Sequence, residues 1–274
     1  MRIRVRHETA YTYGAPARSA LQLLRMTPRS SDGHFVRHWR VEVDADARLD
    51  RDEDAYGNIT HMVFIEGPVT SVRVTVEGEM DTADTKGIVR GTIERLPLPI
   101  YLRETPLTAI SARLRDLAGA VSISAGGDQL ATLHGLMSEI NRHMAFVVGA
   151  TSVTTTADKA FEAGRGVCQD FAHVFIASAR ALRLPARYVS GYYLRTDRQE
   201  QDAGHAWAEV HVEGLGWIGF DPANGVCMTD RHVRVAVGAD YLEAAPARGA
   251  QIGGADEVLA VSVHVAQGRG LIEG

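Results

Sequence analysis

Between residues 164 and 182 the chain reads GRGVCQDFAHVFIASARAL, a glycine-bracketed turn that delivers a cysteine to the first turn of a helix. Gly166 lets the backbone bend tightly there. Phe171, Val174, Phe175, Ala179 and Leu182 then recur at the spacing of one buried helical face. The helix therefore starts at Cys168 with one apolar side turned to a core. A helix N-terminus carries open N–H groups and about half a positive charge, which favours a thiolate at that position. Free cysteines are also common as small buried core residues, so the placement alone admits either a nucleophile or a packing residue.

The remaining composition narrows the class. At 274 residues the chain exceeds one ordinary core, which suggests two domains. Its 29 basic and 34 acidic residues are interspersed and leave a net charge of −5, which argues against nucleic acid or an anionic membrane as partner. The opening MRIRVRHETAYTY alternates like a strand without an apolar run, so neither a signal peptide nor a membrane anchor is read there, and a cytoplasmic location is expected. Cys168 and Cys227 are the only cysteines, too few for a disulfide framework and without the paired spacing of structural zinc. Both are expected to be reduced, Cys227 as a packing residue. No phosphate-binding loop or dinucleotide fingerprint occurs, and neither a metal nor a cofactor is expected.

From residue 2 to about residue 94, apolar residues alternate at period two: Ile3 and Val5, then Trp39, Val41 and Val43, then Ile59, His61, Val63 and Ile65, then Val72, Val74 and Val76. Turn-type clusters lie at residues 14–16, 30–33, 56–58 and 66–68. The expectation is an antiparallel β-sandwich domain over residues 1–98, ended by a proline-marked connector. The acidic run at 44–54 lacks the ligand order of a calcium loop and reads as a solvated loop. Beyond it, Thr105 and Pro106 suggest the start of a helix ending at Gly119. A second helix should follow Asp128 with Leu130, Leu133, Met137, Ile140 and Met144 inward, leaving His134 and His143 as solvent-side or packing histidines. Thr155 with Asp158 suggests a capping box for a short third helix.

After the cysteine helix, residues 188–194 read as a strand. Residues 205–212 alternate, with Ala206, Ala208, Val210 and Val212 on the core face and His205, Trp207, Glu209 and His211 on the other. Gly214 and Gly216 then turn into a strand that stops at Asp221, because Pro222 cannot continue a ladder. Further strands are expected at 232–237 and 257–265, with a Gly-rich loop between them and a frayed end after Gln267. Helices and strands do not alternate regularly, so the fold class is α+β, with residues 99–274 as the second domain.

A thiol at a helix start, a histidine entering one strand and an aspartate ending the next suit nucleophilic acyl chemistry. Cys168 would attack a carbonyl, His205 would hold and return the proton, and Asp221 would orient the imidazole. His205 and Asp221 lie on strands joined by a short turn, so they can meet across the ladder; Cys168 must arrive by tertiary packing. The Cys168 N–H is a candidate oxyanion donor, with Gln169 and Trp207 as adjacent candidates and Trp207 equally readable as a groove wall. A metal set of His205, Glu209 and His211 fails on reach, since six residues of strand span about 20 Å. Asp170 reads as a carboxylate that stabilises the first helical turn, and His173 as a satisfied helix histidine.

The segments RGVCQDFAHVFIASARALRLPARYVSGYY, GHAWAEV and GWIGFDPANG closely resemble the core of the bacterial transglutaminase-like proteins, which are related in fold to papain-like cysteine peptidases. RHETAYTY and DAYGN match that family's N-terminal domain, and DRHVRVAVGADY extends the likeness. The resemblance implies a transglutaminase-like core with the cysteine helix packed on an antiparallel sheet. It implies Cys168 as nucleophile, His205 as general base and acid, and Asp221 as the partner of His205. Residues 146–150, FVVGA, depart from the aromatic residue and Asp-Pro that relatives often carry before Gly-Ala, so substrate preference is not transferred. The expected activity is on peptide or isopeptide amide bonds through a thioester, with a peptide or protein substrate and hydrolysis favoured. The alternatives are a protein-crosslinking transglutaminase and a non-catalytic peptide-binding module, although a binding module has no physical need of all three residues.

Overall fold

Residues 1–268 are described by the computed structural model. Strands β1 (Arg2–Thr27), β2 (His34–Val43), β3 (Ala47–Glu53) and β4 (Ile59–Thr82) build the first sheet, in which β1 and β4 pair antiparallel along most of their length. β2 and β3 both pair with β4, one along each half of it. The clusters at 14–16 and 66–68 are not turns. They lie inside β1 and β4, where the register slips between Thr12 and Ser19. The slip moves the buried positions of β1 from the odd series Ile3 to Tyr13 to the even residues Ala20, Leu24 and Met26. One sheet thereby bends over itself around Tyr11, Leu24, Val63, Val74 and Val76. Where the two bends cross, a Cβ on Gly67 would stand 2.2 Å from the Ala17 carbonyl oxygen. Most of the acidic run expected as a loop is β3, an exposed edge strand whose charges discourage further pairing.

A short strand β5 (Ile88–Val89) and the helices α1 (Ala112–Ser124) and α2 (Gln129–His143) follow. α1 starts later than expected and runs through Gly119. Its cap is Ser111, whose Oγ accepts the Leu114 N–H, while Thr105 closes a turn with Thr108. Asp128 caps α2 as expected. Then come β6 (Ala145–Phe146), α3 (Ala157–Ala163) capped by Thr156 rather than Thr155, β7 (Arg165–Gly166) parallel to β6, and α4 (Cys168–Ala181). α4 is not a one-sided amphipathic helix. Every residue from Gln169 to Arg180 is buried, because α1, α2 and α3 pack against it opposite the second sheet. Arg180 lies inside this core and donates to the carbonyls of Tyr101, Ala186 and Ala239 and to Thr108 Oγ1. His173 Nε2 accepts the Tyr241 N–H, and burial pushes its pKa down to about 3, which keeps the ring neutral.

The second sheet uses β8 (Ala186–Tyr193), β10 (His205–Val212), β11 (Gly216–Asp221), β12 (Val226–Cys227) and β13 (His232–Gly238) in the order β12-β11-β10-β8-β13; β9 (Glu200–Gln201) leaves it to join the first sheet. After the short helix α5 (Tyr241–Ala244), β14 (Ala247–Ala255) and β15 (Val258–Gln267) pair with the two halves of β1. The stretch expected as a Gly-rich loop is therefore largely α5 and β14. The expected boundary at residue 98 separates strand pattern from helices but not sheet from sheet. β5 joins β11 in the second sheet, and the chain's last strands close the open edge of β1. The end expected to fray after Gln267 falls outside the described residues from 269 onward.

Both faces of the second sheet are buried. Ala206, Ala208, Val210 and Val212 pack under α4, as expected. Trp207 and Trp217 occupy the other face, and nearby Tyr192, Leu194, Val233 and Val235 meet Ile3, Val5, Met80 and Val263 of the first sheet. The two N-terminal sequence motifs are docking points in this arrangement. His7 Nδ1 lies 3.0 Å from the Tyr192 hydroxyl, and Asn58 pairs with both backbone groups of Val237 at 2.7 and 2.8 Å. No helix among the described residues is long and apolar enough to cross a membrane. Residues 1–98 expressed alone should show no cooperative thermal transition by circular dichroism, whereas the same fragment fused to residues 245–268 should regain one.

Candidate active site

Cys168 is the first residue of α4, half-buried, at a helix start built by local chemistry. Gly164 ends α3 with a left-handed φ of 61°. Gly166 serves a different purpose from the tight bend expected of it: a Cβ there would stand 2.6 Å from Asp170 Oδ2. That oxygen accepts the Val167 N–H at 2.8 Å and the Thr151 hydroxyl at 2.6 Å, closing the turn ahead of the thiol. Burial raises the Asp170 pKa and these donors oppose the rise. The Cys168 N–H belongs to the first helical turn, out of reach of any helical carbonyl, and has no hydrogen-bond partner among the described residues.

The antiparallel pairing of β10 with β11 brings His205 to Asp221, with Nε2 2.6 Å from Oδ2. Desolvation lowers the pKa of His205, but the charge and hydrogen bond of Asp221 outweigh it. A smaller contribution from Cys168 acts in the same direction, and the imidazole rises to about 10. Asp221 moves the opposite way. Its buried carboxylate is held well below the usual range by His205 and His232 against the cost of burial. Because Nε2 is committed to Asp221, Nδ1 is the nitrogen left for the thiol. The structure thus pairs His205 with Asp221 at hydrogen-bonding distance and places Cys168 at the start of the helix that packs against β10.

The other two candidates are placed differently. Gln169 is buried, and its amide nitrogen is directed at the Val153 carbonyl at 3.4 Å. Trp207 is 0% exposed and stacks beneath His205 with centroids 6.1 Å apart, so it is a floor under the imidazole and not a groove wall. Strand alternation put His205 and Trp207 on the expected face; the cluster of Val89, Tyr101, Trp217, Met228 and Val237 on that face buries the indole. Cys227 packs against the α4 core, and burial raises its thiol pKa, as suits a packing residue. Glu209 is tied to Arg187 and Arg234, each at 2.7 Å.

Two residues of the site had no role in the sequence reading. Asn224 donates its backbone N–H to Asp221 Oδ1 and its amide to Oδ2, at 3.1 and 2.6 Å. His232, wholly buried at the start of β13, places Nε2 3.1 Å from Asp221 Oδ2. The motif segments containing both were visible, but nothing in their spacing pointed at Asp221. His205, Asp221 and His232 offer three ligand-type atoms within 4.8 Å of one another. The set fits a metal ion poorly, since His232 Nδ1 accepts the Thr229 N–H at 3.1 Å. Its proton therefore sits on Nε2, the nitrogen a metal would need.

The pKa of His205 lies above its ordinary value of about 6.5 and that of Asp221 below about 3.9. The pair therefore stabilises the fold fully between those two values and loses its contribution as pH rises through about 10. In Asp221→Asn the imidazole pKa should fall to about 6.5 or lower by NMR titration. The stability gap between wild type and this variant, from urea unfolding, should shrink between pH 7 and pH 10.

Comparison with known proteins places the chain in a family. Residues 3–81 match the family model of the bacterial transglutaminase-like N-terminal region, and residues 118–222 that of the transglutaminase-like superfamily. An uncharacterized protein of Mycobacterium leprae is 29% identical over 286 residues, covering 96% of this chain and 98% of its own. One from Mycobacterium tuberculosis is 30% identical over 275 residues, covering 90% and 87%. The solved structure of a candidate cysteine protease from Cytophaga hutchinsonii superposes with a TM-score of 0.76 at 19% identity, over 97% of this chain and 90% of that one, and shares the fold. The chain belongs to the transglutaminase-like superfamily, carrying the bacterial transglutaminase-like N-terminal region ahead of its core.

Proposed function

We propose that this protein is a cysteine-dependent enzyme that cleaves or transfers peptide or isopeptide amide bonds through a thioester. The observation that carries the reading is the 2.6 Å pairing of His205 with Asp221, taken with Cys168 at the N-terminus of α4 and a Cys168 N–H that has no hydrogen-bond partner among the described residues. The Cys168 thiolate attacks the amide carbonyl carbon, and the oxyanion that forms takes the Cys168 N–H and the positive end of α4. The C–N bond breaks as His205 Nδ1–H gives its proton to the departing amine, leaving a thioester and a neutral imidazole. Water or an amine then attacks the thioester, His205 takes the proton, and Cys168 leaves as thiolate. Asp221 stays ionised throughout and holds the ring in register.

Hydrolysis is the favoured outcome, since no site for an acceptor lysine is identifiable around Cys168 among the described residues. Incubating the protein with a peptide library in the presence and absence of a primary amine distinguishes hydrolysis from transfer.

Alkylation of Cys168 by iodoacetamide at pH 6 tests the thiol and imidazole pair before any substrate is known. The rate should fall about tenfold or more in His205→Ala; equal rates would remove the catalytic reading and favour a binding module. Turnover of an amide substrate should decline as pH rises through about 10, where His205 loses the proton the leaving amine requires.

A further inference from the structure

The carboxylate of Asp221 serves two histidines. His205 and His232 both direct Nε2 at Oδ2, at 2.6 and 3.1 Å. The tautomer of His232 follows from its other nitrogen. Nδ1 lies 3.1 Å from the backbone nitrogen of Thr229, and a backbone N–H only donates, so Nδ1 accepts and Nε2 carries the hydrogen. His232 is therefore a fixed donor to Asp221. Its ring is 0% exposed and enclosed by Tyr193 of β8 and Trp207 of β10, with centroids at 4.7 and 5.1 Å. The ionisable groups facing it are Asp221 on β11, His205 on β10 and, at its backbone, His34 on β2; Arg234, two residues on, is turned to Glu209. Burial lowers its pKa, consistent with a neutral ring.

We infer that His232 is a positioning residue, which selects the Asp221 oxygen that meets His205 and holds the carboxylate against rotation. It also ties the site to the first sheet. His34 Nε2–H donates to the His232 carbonyl at 2.8 Å, and Thr82 at the end of β4 donates to the carbonyl of Asp230. The N-terminal sheet thus fixes the start of β13, β13 fixes Asp221, and Asp221 fixes His205. This role rests on the proposed acyl chemistry only for its effect on rate; the hydrogen-bond arrangement stands without it.

The test compares wild type with His232→Gln, whose amide nitrogen replaces the Nε2–H donor, and His232→Leu, which fills the space without a donor. In the wild type, ¹⁵N NMR of the imidazoles should show His232 with hydrogen on Nε2 and none on Nδ1; the opposite tautomer overturns the inference without any variant. The downfield proton of the His205 to Asp221 bond should persist in wild type and His232→Gln and be shifted or lost in His232→Leu. Against a substrate found by library screening, kcat should fall about tenfold in His232→Leu at nearly unchanged KM and recover in His232→Gln. Equal behaviour of the two variants, whether both active or both impaired with the same loss of Tm, shows a packing role only and overturns the inference. If wild type shows no turnover and no His205-dependent alkylation, the proposed function fails, while the NMR comparison still decides the role of His232.

Discussion

A carboxylate with no exposure to water is the constraint around which the site is arranged. Burying a charge of this kind is costly unless donors replace the lost solvent, and Asp221 is supplied from three places: His205 across the ladder, Asn224 from the following turn and His232 from the start of β13. Each donor comes from a different part of the second sheet or its connections. The strand order β12-β11-β10-β8-β13 is therefore also the arrangement that makes an ionised Asp221 tolerable. The raised pKa of His205 is the visible consequence, since a carboxylate held in its charged form holds its neighbour in the charged form as well.

The N-terminal sheet supports this arrangement through polar contacts as much as through apolar burial. His7, His34, Asn58 and Thr82 each place a polar group against the second sheet or its loops. Such contacts are directional, so they set the register between the sheets, whereas Ile3, Val5, Met80 and Val263 supply the non-directional part of the interface. A second polar network lies on the same side of the sheet. Glu209 joins Arg187 and Arg234, and the Arg187 guanidinium sits 3.9 Å above the ring of Trp217. Breaking one member would leave an uncompensated buried charge, which makes the network a fixed element under β10.

Much of the core was legible because local rules and tertiary demands agreed there. Asp128 capped α2, Gly164 ended α3, α4 began at Cys168, and β10 alternated with its alanines and valines toward α4. The failures came where a local signal had a second use. Gly14 to Pro16 and Glu66 to Pro68 look like turns, yet residues of the same types also permit the slips and close approaches that bend a long strand. Trp207 lay on the expected face of β10, but whether that face met substrate or another layer of protein depended on strands more than a hundred residues away.

By itself the sequence determined the start of α4 at Cys168, the presence of three helices ahead of it, and the hairpin that pairs His205 with Asp221, because each follows from capping, periodicity or a short connection. Only the tertiary structure decided that β14 and β15 return to close the sheet begun by β1, since edge satisfaction is a property of the assembled sheet. It alone buried Trp207 and turned His232 toward Asp221. These are contacts between segments far apart in the chain, and no local spacing encodes which of several buried histidines a distant carboxylate will meet.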